Sequence, residues 1–361
     1  MTDDLPRART DRRLFIGGLG ASAAVLAGCA GVGAGSGSER RASPTPDPVP
    51  DSAPSPAPDE VFGSIPSVRT PAARFEGLPD YDYAPRYAED LPGYEGLRMH
   101  YVDVGPRDAE HTYLCLHGQP SWSYLYRHMI PVFEASGGRV VAPDWFGMGR
   151  SDKPIDDAAY SFEFHRNAGL ALLERLDLTN VTLVCQDWGG LIGLTLPPAM
   201  PDRFARAIIM NTGLLDRSIL TPRFAQWQAR ARAGLDVPRF FARMVPSLSA
   251  AEAAAYGAPF PSPLYQAAVR TFPSLIPSGA PTAADALAEA ARAWWSDEWT
   301  GQSFIASGTA DPVFDPARMA TVRSYVRGAP PLYSVPGGVH FIQEDHGAEI
   351  AEAALRRFET R

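Results

Sequence analysis

Short apolar, β-branched runs alternate with longer amphipathic stretches along this chain from residue 97 onward. The runs at 97–104, 112–116, 139–143, 181–184, 206–210, 302–307 and 331–335 predict strands. Apolar residues recur at helical spacing around 124–135, over 162–176, from Gly190, and over 347–358. Strands alternating with helices form a mostly parallel sheet, so the pattern predicts an α/β fold. The alternation stops between Leu214 and Ala293, an Ala-rich stretch broken by Pro222, Pro238, Pro246, Pro259, Pro261 and Pro263. That segment reads as short helices set between two strands, a lid over the strand ends where ligands bind in open α/β sheets. No internal repeat is visible.

The periodic pattern begins late, and the residues before it have their own reading. Arg12-Arg13-Leu14-Phe15-Ile16 resembles a twin-arginine export signal, followed by a small-apolar run from Gly17 to Ala27 that is too short for a stable span. Leu26-Ala27-Gly28-Cys29 looks like a bacterial lipobox, whose cysteine is lipidated and becomes the new N-terminus. Residues 30–64 are Gly, Ser, Ala and alternating Pro, lacking the large apolar groups that offset ordering entropy, and are expected to form a disordered tether. The expected organisation is a signal at 1–29, a linker at 30–64, a core at 65–213 and 294–361, and a helical cap at 214–293. Export to the cell envelope or periplasm with a lipid anchor at Cys29 follows from this reading.

The chain has 361 residues, is 45% hydrophobic and carries a net charge of -8, enough for one large core and without the basic bias of a nucleic-acid partner. Three cysteines do not make a disulfide framework, and Cys115 and Cys185 read as buried, inert thiols.

The strand 181–184 runs into Cys185-Gln186-Asp187-Trp188-Gly189-Gly190. A strand ending in small–x–nucleophile–x–Gly and turning into a helix is the nucleophile elbow of α/β-hydrolases, here with a carboxylate in place of serine. An aspartate can displace a leaving group from carbon and be regenerated by hydrolysis of the ester. The order nucleophile, acid, histidine is met by Asp187, Asp311 and His340, the latter two after the penultimate and last strands. Asp216 competes for the acid but lies in the expected cap, and His117 is read as a backbone brace. The backbone N–H groups of Gln119 and Trp188 occupy the two places that form an oxyanion hole.

These residues resemble a haloalkane dehalogenase of the subfamily whose acid follows the seventh strand. Leu91-Pro92-Gly93-Tyr94, the run from Leu114 to Arg127, Ser151-Asp152-Lys153-Pro154 and Phe162-Glu163-Phe164-His165-Arg166-Asn167 carry the likeness, which extends from Arg69 to Phe358. The resemblance implies an eight-stranded sheet with the cap inserted after strand 6. It implies haloalkane and halide as ligands, and neither metal nor organic cofactor. It also implies two tryptophans on the leaving halide: Trp188, and Trp227 in Phe224-Ala225-Gln226-Trp227. Phe224, Phe260, Pro261, Val313 and Phe314 match apolar pocket walls, and Trp294, Trp295 and Trp299 suit packing. Two departures stand out: Gln119 where relatives carry Glu, and Leu191 where an aromatic wall is expected. A monomer is expected. An epoxide hydrolase shares the triad and would need cap tyrosines, for which Tyr256 and Tyr265 are available; a binding module that kept only the fold is a third reading.

Overall fold

The computed structural model describes residues 65–276 and 278–360, so the expected signal, Cys29 and the linker lie outside the described residues. Eight strands form one sheet: β1 (Arg86–Ala88), β2 (Met99–Val104), β3 (Thr112–Leu116), β4 (Arg139–Pro143), β5 (Val181–Gln186), β6 (Phe204–Met210), β7 (Gln302–Gly308) and β8 (Tyr333–Val335). Their order across the sheet is β1-β2-β4-β3-β5-β6-β7-β8. β2 is antiparallel to both neighbours, and all pairs from β4 to β8 are parallel. β3, β4 and β5 have no exposed residue, as strands covered on both faces must. The register sets Leu116 opposite Cys185 and Cys115 opposite Val184, so the two free, buried cysteines face opposite sides of the sheet.

Helices α1 (Ile130–Ala135), α2 (Phe162–Arg175) and α3 (Trp188–Gly193) fill the crossovers of the first half. The stretch read as one helix over 124–135 is a 3-10 turn, Ser123–Tyr126, followed by α1, because Pro131 suits a first helical turn and not a helix interior. After β6 the cap contains α4 (Pro222–Arg232), α5 (Val237–Met244), α6 (Ala250–Gly257) and α7 (Ala267–Thr271), the last continued by a 3-10 turn at Phe272–Leu275. Then come α8 (Ala283–Asp297), α9 (Pro316–Tyr325) and α10 (Gln343–Glu359). The boundary expected at 293 falls inside α8, which starts at a Thr282–Asp285 capping box and docks on the core through Trp295 Nε1 to the Leu194 carbonyl, 2.8 Å. α10 begins earlier than the 347 expected. Gly347 does not break it; a Cβ there would sit 3.1 Å from Met129.

The cap is held to the core by a buried ionic cluster. Arg127 donates to both oxygens of Glu344 (2.7 and 2.6 Å) and to Glu252 of α6 (3.0 Å), and the Tyr256 hydroxyl of α6 donates to Glu344. Arg127 also lies over the Tyr124 ring at 4.2 Å. Burial lowers the Arg127 guanidinium's proton affinity, but the Glu344 pairing outweighs it, so the side chain is firmly charged.

Candidate active site

The three residues named from chain order meet at the C-terminal edge of the sheet. Asp187 follows β5, Asp311 follows β7 and His340 follows β8. His340 Nδ1–H donates to Asp311 Oδ2 at 2.9 Å, and His340 Nε2 lies 3.3 Å from Asp187 Oδ2. Asp311 Oδ1 accepts the Val313 N–H at 2.7 Å, which fixes the carboxylate that orients the ring. Asp216 is elsewhere: exposed, it accepts the Ser218 N–H and caps a 3-10 turn at Arg217–Ile219.

Asp187 itself sits at φ 52°, ψ −128°, a conformation costing an L-residue about 1–3 kcal/mol. Packing holds it there. A Cβ at Gly189 would lie 1.9 Å from the Leu116 carbonyl, and one at Gly118 would lie 2.4 Å from Asp187 Oδ1, so both neighbours must be glycine. The Thr212 hydroxyl donates to the Asp187 carbonyl at 2.6 Å. On the other side, the Gln119 N–H donates to Asp187 Oδ1 at 2.9 Å. Trp188, as first residue of α3, has no intrahelical acceptor for its own N–H.

The loop behind Gln119 is braced by His117. Its Nε2 accepts the Trp145 N–H at 3.0 Å, so Nδ1 carries the proton and donates to the Gly118 carbonyl at 2.8 Å. Burial depresses its proton affinity, and the ring is a neutral strut. His100 pairs with Asp144, His111 with Asn180 and His346 with Glu349, and the imidazole facing Asp187 is that of His340. Burial opposes the charge on His340, but Asp311 and Asp187 outweigh it and push the imidazole up to about 10.

Trp188 is buried, and its ring receives the edge of Phe272 at 5.2 Å. Trp227 is half-buried on α4 and stacks on Phe240 at 5.0 Å; no ring contact joins it to Trp188. Neither indole N–H has a hydrogen-bond partner among the described residues, nor has the buried one of Trp122, whereas Trp145, Trp295 and Trp299 direct theirs to protein oxygens. Four of the six residues expected to wall one pocket divide between two hollows. Leu191 and Phe314 share one with Leu214 and Ile219, and Phe314 stacks on His340 at 6.1 Å. Phe260 and Pro261 line a cleft within the cap beside Leu235 and Val237, and Pro261 is exposed. Phe224 and Val313 are half-buried against the core.

Residues not singled out from sequence complete the site. Asn211, at φ 39°, donates to the Val339 carbonyl at 2.9 Å and accepts the Gly308 N–H at 2.9 Å, tying the ends of β6, β7 and the His340 loop together. Gln186 donates to the His340 carbonyl at 3.0 Å. A polar pair, Asn211-Thr212, closing an otherwise apolar strand was the available signal. Phe272 had none beyond its place in the cap.

A family profile described as alpha/beta hydrolase fold matches residues 114–347. A haloalkane dehalogenase of Psychrobacter cryohalolentis is 42% identical over 302 residues, covering 80% of this chain and 97% of the relative. One of Mycobacterium marinum is 41% identical over 301 residues, covering 80% and 98%. The tetrameric haloalkane dehalogenase structure from Paraglaciecola agarilytica NO2 superposes with a TM-score of 0.80 at 47% identity, covering 82% of this chain and all of that one. With a carboxylate nucleophile at the elbow and its triad assembled, the chain belongs to the haloalkane dehalogenases, α/β-hydrolases that act on carbon–halide bonds.

Proposed function

We propose that this chain converts a haloalkane to an alcohol and a halide through an alkyl ester on Asp187. The carrying observation is the division of labour between the two carboxylate oxygens. Oδ1 already accepts the Gln119 N–H, where the carbonyl oxygen of an ester would sit, and Oδ2, 3.3 Å from His340 Nε2, is the oxygen that attacks carbon. In-line attack forms the C–O bond as the C–halogen bond breaks, and the electron pair leaves with the halide toward the free indole N–H of Trp188. Trp227 is the second donor in this reading, brought in with its helix α4.

His340 enters in the second half. Before reaction it is charged and donates toward Asp187. Esterification removes the negative charge of Asp187, one of the groups holding the proton on His340, so the imidazole releases that proton to solvent and becomes a base. It takes a proton from water, which adds to the ester carbonyl. The tetrahedral oxyanion is held by the N–H groups of Gln119 and Trp188 and collapses to release the alcohol. The balance is one water consumed, with alcohol, halide and a proton formed.

The epoxide hydrolase reading would draw its proton donors from the cap tyrosines Tyr256 and Tyr265, and the Tyr256 hydroxyl instead donates to Glu344 in the ionic cluster. Halide release from 1,2-dibromoethane or 1-chlorobutane, compared with turnover of styrene oxide, is the test. Epoxide turnover without halide release would overturn the proposal.

The same reading places the protein outside the cytoplasm, lipid-anchored through Cys29, as the lipobox-like run supports. Cys29→Ser should move it from the membrane fraction to the soluble one; a wild type already soluble after export would contradict the anchor. The 47% identical relative is a tetramer, in contrast to the monomer expected from sequence, and sizing in solution decides between them.

A further inference from the structure

Gln119 makes two contacts at once. Its backbone N–H reaches Asp187 Oδ1, and its side-chain Nε2 donates to the Val269 carbonyl of α7 in the cap, both at 2.9 Å. The second bond has a cause in the sequence. In a helix the Val269 carbonyl would accept the N–H of residue 273, but that residue is Pro273, which has none. The Phe272 N–H is directed to Ala268 instead. Val269 is fully buried, so its carbonyl has no water to turn to. Gln119 supplies the missing donor. The segment it grips also sets Phe272 edge-on to Trp188, with the His165 ring 4.4 Å behind it.

We propose that the Gln119 side chain is a positioning residue that locks cap segment 267–275 onto the oxyanion loop. One side chain then sets both the apolar wall against Trp188 and the N–H against Asp187. A neutral amide suits the task because it donates whatever the pH. A carboxyl at this position would donate to Val269 only when protonated. The titratable groups on the elements it joins are Asp187 of the elbow with its partner His340, His117 on its own loop, Arg270 on α7, and His165 of α2 against Phe272.

Hydrogen exchange over 267–275, bromide quenching of tryptophan fluorescence, and kcat and KM across pH should be compared in wild type, Gln119→Ala and Gln119→Glu. All three keep the backbone N–H. In Gln119→Ala exchange over the segment should rise, and KM and the bromide Kd should rise about tenfold, the scale of one lost buried hydrogen bond, with a smaller change in kcat. Gln119→Glu should match wild type at low pH and fall toward the alanine variant as pH rises. Unchanged exchange and bromide affinity in folded Gln119→Ala, or a Gln119→Glu to wild-type ratio of kcat/KM that is flat in pH, would overturn the proposal. Should Gln119→Ala not fold, the Gln119→Glu titration decides alone. Exchange needs no substrate, so a failed tie is distinguishable from a failed dehalogenase assignment.

Discussion

At the scale of single residues, charge and hydrogen-bond inventory do most of the explaining. The Asp187 carboxylate turns an elbow known for acyl transfer into one for displacement at carbon, and a donor-only indole beside it matches an anionic leaving group. Trp227→Phe keeps the stack on Phe240 but removes an N–H, so it should fold normally and lose about 2–4 kcal/mol of transition-state stabilisation, with weaker bromide quenching. Unchanged dehalogenation and bromide binding would make Trp227 a packing partner of Phe240 alone. His340 gives a second prediction. Its proton affinity is raised from 6.5 to about 10, so the stabilisation it brings is complete below 6.5 and is lost as pH rises toward 10. Urea unfolding of wild type should lose stability across that window, and His340→Gln should lack that component; parallel profiles would contradict the pairing. The triad was legible in sequence because each member follows a strand end in a fixed order. The residues that brace it, Asn211 and Gln186, were not, since each bonds a backbone group more than ninety residues away.

At the scale of elements, the apolar runs located every parallel strand from β3 to β8 within a few residues; the clearest, β3 to β5, are buried on both faces and leave a continuous signal. The helices were less legible. Gly347 looked like a start and is an interior close contact with Met129; Pro131 restarted a helix inside what read as one. The cap was recognisable only as a break in the strand rhythm, since its arrangement depends on long-range ties. The tightest is Arg127 to Glu344 and Glu252, with the Arg127 side chain wholly buried. Arg127→Met leaves the buried Glu344 without its counter-charge and should destabilise the fold by about 3–5 kcal/mol in chemical denaturation. Adding Glu344→Gln should recover part of that loss. A single variant as stable as wild type would show that the cluster does not anchor the cap.

At the scale of the whole molecule, the sheet brings the three triad residues to one edge, while the cap supplies the apolar wall and excludes water. Order along the chain was enough to foresee the first, and the cap's position relative to the pocket was not: Phe314 lies beside His340, whereas Phe260 and Pro261 line a separate cleft within the cap. The central claim is that the substrate carbon is bonded to Asp187 during turnover. A single turnover in heavy-oxygen water tests it most directly, by mass analysis of the peptide containing Asp187. Because water attacks the ester carbonyl and not the alkyl carbon, the account predicts one heavy oxygen in the Asp187 carboxylate and none in the first alcohol released. Heavy oxygen in that alcohol with an unlabelled Asp187 would contradict it.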